Sequence, residues 1–124
     1  ENLCVKSKIG EHDIQSLSDD ELSVSKHVIE ENIRVVKAAQ FLKSNGAEEF
    51  GKLMTESHMS LSKYYKVSTL ELDKLVDLAN SFGALGSKLT GAGFGGAIVT
   101  LVKKELVEEL KKYILDNYPN AKFI

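Results

Sequence analysis

The sequence has very little of several residue types that commonly carry chemistry. Its 124 residues include one cysteine, one proline, no tryptophan and three histidines. Cys4 alone cannot form an internal disulfide, which fits a reducing compartment, and the histidines lack the spacing of metal ligands. No apolar run approaches the length of a membrane span, and no basic block stands out against a net charge of −2. We therefore expect no metal site, no nucleic-acid or membrane partner, and a cytoplasmic protein.

The remaining composition is that of a globular protein, with 43% hydrophobic and 27% charged residues. At this length the chain is expected to form one domain over residues 1–124, with residues 1–17 as a lead segment. The chain begins at Glu1 and ends at Ile124 inside an apolar stretch. We interpret both ends as cuts in a longer protein.

Glycine is concentrated in one place, and this is the most informative feature of the chain. The six residues Gly91-Ala92-Gly93-Phe94-Gly95-Gly96 hold four of the nine glycines. They match the letters G-x-G-x-x-G, but a dinucleotide fingerprint needs a helix next, whereas the β-branched run 97–102 predicts a strand. Glycines let backbone amides approach a small anion closely, so we predict a phosphate-side loop between two strands. The structural alternative is a mobile hairpin.

The sequence carries signals for four helices and three strands. Ser18 and Glu21 form a capping box, and Ser68 and Glu71 predict a second one. Apolar periodicity and stop signals predict helices over 18–43, 47–65, 68–83 and 105–117, strands over 85–90 and 97–102, and a returning strand over 121–124. The two central strands are too close for a helical crossover, so they should pair antiparallel. The fold class is α+β, with helices on one face of a small antiparallel sheet.

Three groups of polar residues are weaker candidates for function. His27, Glu31 and Arg34 share one helical face, which we interpret mainly as a salt-linked surface. Ser57 and His58 interrupt an apolar stripe, and with no carboxylate at a useful spacing we favour a hydrogen-bonded core histidine over a general base. The string 10–13, Gly-Glu-His-Asp, has the letters of a catalytic motif without the preceding strand, and we interpret it as coincidence.

Around the glycines the sequence resembles a known family. The string from Gly86 to Gly96 is similar to the third conserved motif of galactokinases, within the superfamily that includes homoserine, mevalonate and phosphomevalonate kinases. The resemblance continues from about Ser18 to the end, through the stretches 27–34, 50–54, 57–61, 65–68 and 71–76. It implies a ferredoxin-like C-terminal domain that packs on an N-terminal domain, with the active site between them.

The resemblance also implies a reaction and a role for the loop. Such enzymes transfer the γ-phosphoryl group of ATP, with Mg²⁺, to the anomeric hydroxyl of galactose, and residues Gly91 to Gly96 would line the nucleotide phosphates. Lys88 stands where the family usually has arginine. The family's sugar-binding and catalytic residues have no counterpart here, so no catalytic residue is assigned. We expect an isolated chain that is folded, inactive and inclined to self-associate.

The sequence leaves four functions open. Besides part of a galactokinase, these are an N-acetylgalactosamine kinase, a non-catalytic galactose sensor, and a ferredoxin-like regulatory domain that binds a small effector. An upstream domain with an intact phosphate loop and catalytic aspartate would favour an enzyme, and a damaged loop would favour the sensor. The absence of an upstream domain would favour the regulatory domain.

Overall fold

A computed structural model describes residues 18–91 and 96–124 of the chain. The elements, in chain order, are helix α1 (Asp19–Lys43), helix α2 (Ala47–Ser60), a π-helical turn (Leu61–Tyr65), helix α3 (Leu70–Phe82), strand β1 (Gly86–Thr90), strand β2 (Ala97–Leu101), a 3₁₀ turn (Lys104–Leu106) and helix α4 (Val107–Asn117). The α+β class predicted from the sequence is confirmed. The lead segment, with Cys4 and the string 10–13, lies outside the described residues.

The local start and stop signals of α1 and α3 act largely as predicted. The Ser18 hydroxyl accepts from the backbone N–H of Glu21, whose carboxylate accepts from the N–H of Ser18. Gly83 ends α3 with a φ of 117°, a left-handed conformation that glycine adopts without strain. The second predicted capping box is wrong, because the Ser68 hydroxyl donates to Asp73 instead. Thr69 takes the N-cap position and accepts from the N–H of Leu72.

The helix predicted over 47–65 has one irregular turn. Its last residues, Leu61–Tyr65, form a π-helical turn, and the segment ends at Lys66 with a φ of 61°. A π-turn holds one more residue than an α-turn, and such turns are frequent near functional sites. The ring of Tyr65 thereby comes to lie 5.2 Å from that of His27 in α1.

Within residues 18–91 and 96–124 the sheet consists of β1 and β2, which pair antiparallel with Gly86 opposite Leu101 and Thr90 opposite Ala97. The core lies between the sheet and the helices, around the buried residues Leu72, Val76, Ala79, Leu89, Leu110 and Ile114. The predicted returning strand over 121–124 is wrong. Ala121 packs against the core, and among the described residues no strand pairs with this tail.

Helix α2 and strand β1 approach each other unusually closely, because each contributes a glycine at the crossing. A β-carbon on Gly86 would lie 1.8 Å from the carbonyl oxygen of Gly51, and one on Gly51 would lie 2.2 Å from that of Leu85. Real contacts to a β-carbon are not shorter than about 3.0 Å. The close approach lets the short side chains of α2 reach the strand.

No helix in the described parts of the chain is both long enough and apolar enough to span a bilayer.

Candidate functional site

The two ends of the glycine-rich loop are fixed by the hairpin. Gly91 follows β1 directly with a φ of 79°, and space is open where a β-carbon would stand. Its glycine is therefore required by the backbone conformation rather than by crowding. Gly96 precedes β2 and is exposed. The two strands predicted on either side of this segment are confirmed, while Ala92, Gly93, Phe94 and Gly95 lie outside the described residues.

A cleft of about 450 Å³ opens beside Gly91. Its walls come from α1, the π-turn with the segment behind it, and β1. The lining residues are Glu31, Leu61, Tyr65, Val67, Lys88, Leu89, Thr90 and Gly91. The cleft thus combines an apolar wall, one aromatic ring, one ion pair and the start of the glycine-rich loop.

Glu31, which lines this cleft, is the centre of an ion cluster. One carboxylate oxygen, Oε1, accepts from Nε of Arg34 at 2.8 Å. The other, Oε2, accepts from the hydroxyl of Ser57 at 2.6 Å and from Nζ of Lys88 at 3.4 Å. Lys88 also donates to the Ser57 hydroxyl at 2.7 Å. The four side chains come from α1, α2 and β1 and form one connected network.

The cluster keeps Glu31 ionised. Burial raises the pKa of its carboxyl, but the hydrogen bonds from Ser57 and Arg34 and the positive charges of Lys88 and Arg34 together lower that pKa below its ordinary value. The Glu31 side chain is 26% exposed, and those of Lys88 and Arg34 are 27% and 12% exposed. One carboxylate therefore faces two partly buried cations.

The predicted polar face of α1 divides into two environments. Glu31 and Arg34 form the expected ion pair, in which Arg34 also lies 3.8 Å from Glu30. His27 turns inward, where its Nδ1 lies 2.8 Å from the hydroxyl of Ser60. Burial lowers the pKa of His27, an effect that Glu31 opposes.

His58 is a core histidine, as favoured from the sequence, and it holds strand β1. Its Nδ1 accepts from the backbone N–H of Leu89 at 3.1 Å, so its Nε2 carries the proton and donates to Asp73 at 2.9 Å. The side chain is 2% exposed. No partner carboxylate is recognisable from the spacing in the sequence, because Asp73 lies fifteen residues away on another helix.

Asp73 is itself held by two hydroxyl groups. Ser68 and Ser62 donate to it at 2.7 Å and 3.1 Å. Burial raises the pKa of the Asp73 carboxyl, but the hydrogen bonds from Ser68, His58 and Ser62 outweigh this effect and lower the pKa below its ordinary value. Asp73 therefore orients His58, which binds a backbone N–H of β1. Both ring nitrogens of His58 have hydrogen-bond partners.

Within residues 18–91 and 96–124 no three side chains of His, Cys, Asp or Glu come together as a metal site. The carboxylates nearest the cleft, such as that of Glu31, are already engaged by cations and hydroxyls. These residues therefore do not fit a bound Mg²⁺ ion on their own.

Comparison with known proteins places this geometry in a family. The model of the family described as "GHMP kinases C terminal" matches residues 38–120. Among curated proteins, the chain is 47% identical over 95 residues to a galactokinase of Clostridium acetobutylicum and 44% identical over 95 residues to one of Bacillus subtilis. Each match covers 76% of this chain but 24% of the relative. The chain thus spans about a quarter of the length of these relatives.

The fold of the chain also matches that of solved kinase structures. The chain superposes on the galactokinase of Lactococcus lactis in complex with galactose with a TM-score of 0.82 and 29% identity, over 91% of this chain and 31% of that one. It superposes on the mevalonate kinase of L. major in complex with R-mevalonate with a TM-score of 0.75 and 27% identity. This match covers 83% of this chain and 32% of the mevalonate kinase chain. The matched architecture is shared by kinases of different substrates.

Proposed function

The chain belongs to the GHMP kinase family, of which it contains the C-terminal domain, and from this premise we propose that it is part of a galactokinase. The observation that carries the proposal is the position of the glycine-rich segment 91–96 between two paired strands, with its first residue, Gly91, lining the same cleft as Lys88. The galactokinases of C. acetobutylicum and B. subtilis support this choice of substrate over the other functions left open by the sequence.

In the proposed reaction the γ-phosphoryl group of ATP is transferred to the anomeric hydroxyl of galactose, which gives galactose 1-phosphate. Phosphoryl transfer depends chiefly on positioning and on stabilisation of charge by fixed donors. A loop rich in glycine supplies backbone amides without side chains in the way. We assign this role to the phosphate-side loop of Gly91, Ala92, Gly93, Phe94, Gly95 and Gly96.

The remainder of the active site is proposed to lie in an N-terminal domain of the same protein. The described residues gather no Mg²⁺ ligands, so a Mg²⁺ ion that accompanies ATP would be held by groups outside them. Sugar recognition and the catalytic centre are likewise assigned to that domain. A kinase that consumes ATP is expected to act in the cytoplasm.

Helix α1 carries exposed apolar side chains, on more than one of its faces, that we propose contact that domain. Five of its large apolar side chains are exposed by 39–65%: Leu22, Ile33, Val35, Val36 and Leu42. An exposed apolar surface favours association with another protein surface. The expected self-association of the 124-residue chain on its own would bury the loop-side surface, which packs on the N-terminal domain in the proposed whole protein.

The test is an ADP-release assay with MgATP and one of three acceptors: galactose, N-acetylgalactosamine or mevalonate. The protein is the whole product of the reading frame that carries this chain, and the 124-residue chain alone serves as the control. Turnover with galactose by the whole protein, and none by the chain alone, supports the proposal. Turnover with another acceptor refutes the substrate, and galactose binding without turnover indicates a sensor. Turnover by the chain alone would refute the assignment of catalysis to the N-terminal domain.

A further inference from the structure

The ion cluster around Glu31 connects the glycine-rich loop to the helices. Lys88 belongs to β1 and stands three residues before Gly91, whereas Glu31 belongs to α1 and Ser57 to α2. The sequence separations are 57 residues between Glu31 and Lys88 and 31 residues between Ser57 and Lys88. The cluster is therefore a tertiary link that no local signal produces.

The environment of this ion pair differs from that of a surface pair in the same chain. Lys111 and Glu108 lie at a similar distance, 3.5 Å, but their side chains are 43% and 86% exposed. Exposed pairs of this kind contribute little to stability. Lys88 and Glu31 are partly buried and share a hydroxyl that donates to one and accepts from the other. Loss of Lys88 removes one of the two cations that face Glu31, which keeps its hydrogen bonds from Arg34 and Ser57.

The end of β1 is held from two directions. On one side it pairs with β2, Thr90 lying opposite Ala97. On the other side Lys88 is bound by Ser57 and Glu31, and the backbone N–H of Leu89 is bound by His58. The first residue of the loop, Gly91, is two residues beyond the last of these contacts. A shift of the strand end would be transmitted directly to the loop.

We propose that Lys88 is a positioning residue for the glycine-rich loop, held in place by Glu31 and Ser57. The inference rests on the proposed function, in which that loop faces the nucleotide phosphates. The ammonium group acts on the reaction through the path of the loop, not by contact with the phosphates. A displacement of about 1 Å at a reacting centre costs on the order of a hundredfold in rate.

The test compares three variants of the whole protein with a matched control. Lys88→Met removes the charge and keeps the length, Lys88→Arg keeps the charge, and Glu31→Gln removes the opposite charge. Lys111→Met removes the lysine of the exposed pair. For Lys88→Met we expect kcat/KM for ATP to fall by about 10- to 100-fold. The KM for galactose and the melting temperature should stay close to those of the control.

Two further results are expected if Lys88 acts by position. Lys88→Arg should restore most of the activity, because a guanidinium can still bind Glu31 and Ser57. The double variant Lys88→Met, Glu31→Gln should lose less than the product of the two single losses, because both act on one link. Activity of Lys88→Met equal to that of Lys111→Met would overturn the inference. So would failure of Lys88→Arg, which would indicate direct contact with substrate.

A second readout does not depend on galactokinase activity. In the 124-residue chain, amide hydrogen exchange of residues 89–91 should be faster in Lys88→Met than in Lys111→Met. If the whole wild-type protein fails to phosphorylate galactose, the proposed function is wrong, and this exchange experiment alone decides the inference. Equal exchange in the two variants would overturn it.

Discussion

A single methyl group at Gly86 should separate helix α2 from strand β1. The added β-carbon of Gly86→Ala would lie 1.8, 2.4 and 2.6 Å from the carbonyl oxygen, carbonyl carbon and Cα of Gly51. All three are backbone atoms, so no side-chain rotation can relieve the contact. To bring the closest distance to 3.0 Å, the helix and the strand would have to move apart by about 1.2 Å.

The cost of that movement can be worked out from the contacts that cross the gap. Overpacking a core costs about 1–3 kcal/mol. Two hydrogen bonds span the same interface, from the N–H of Ser87 to Thr55 at 3.3 Å and from the N–H of Leu89 to His58 at 3.1 Å. Stretching both adds roughly 1 kcal/mol for each bond. We expect Gly86→Ala to lower the free energy of unfolding by about 3–5 kcal/mol.

The assay is urea unfolding of the 124-residue chain followed by circular dichroism. The matched control is Gly83→Ala, where no atom lies within 4 Å of the new β-carbon and only the φ of 117° opposes the side chain. That change should cost about 1–2 kcal/mol. The double variant Gly51→Ala, Gly86→Ala should cost less than the two single changes added, because one separation accommodates both methyl groups. If Gly86→Ala is no more destabilising than Gly83→Ala, the close approach of α2 and β1 is refuted.

Two further predictions concern acid stability and the loop. Because the pKa of Asp73 is depressed, its ionised carboxylate stabilises the fold fully at pH values above the ordinary pKa of 3.8. This contribution is lost as the pH falls below 3.8 and through the lower pKa of Asp73 in the folded protein. The difference in unfolding free energy between wild type and Asp73→Asn should therefore be larger at pH 7 than at pH 3, and a difference independent of pH would contradict the assignment. In the whole protein, Gly93→Val should reduce kcat by about a hundredfold with little change in melting temperature, because a branched side chain would divert the loop. Near-normal kcat would favour the plain hairpin instead.

Much of the architecture is encoded locally and could be predicted. Ser18 begins α1 and Gly83 ends α3 because caps act within one helical turn. The antiparallel hairpin also follows from the short distance between its strands along the chain. The start of α3 was wrong by one residue, because the Ser68 hydroxyl serves Asp73 and Thr69 takes its place at the N-cap.

The site itself was only half predictable. The glycines marked the loop by composition, but nothing in the sequence linked Lys88 to Glu31 or His58 to Asp73. Those links join residues brought together by the packing of α1, α2, α3 and β1, and their spacing follows no helical or strand period. The prediction of a strand over 121–124 was wrong for a related reason, since a strand needs a neighbouring strand to pair with as well as a suitable composition.

Side chains of α2 accept hydrogen bonds from backbone N–H groups of β1, and this closes one edge of the sheet to further strands. The N–H groups of Ser87 and Leu89 point away from β2 and are already taken by Thr55 and His58. A strand that paired with this edge of β1 would have to displace α2, which contacts the strand closely through Gly51 and Gly86. Any strand that enlarges this sheet, from the rest of a longer protein or from another molecule, must therefore join along β2.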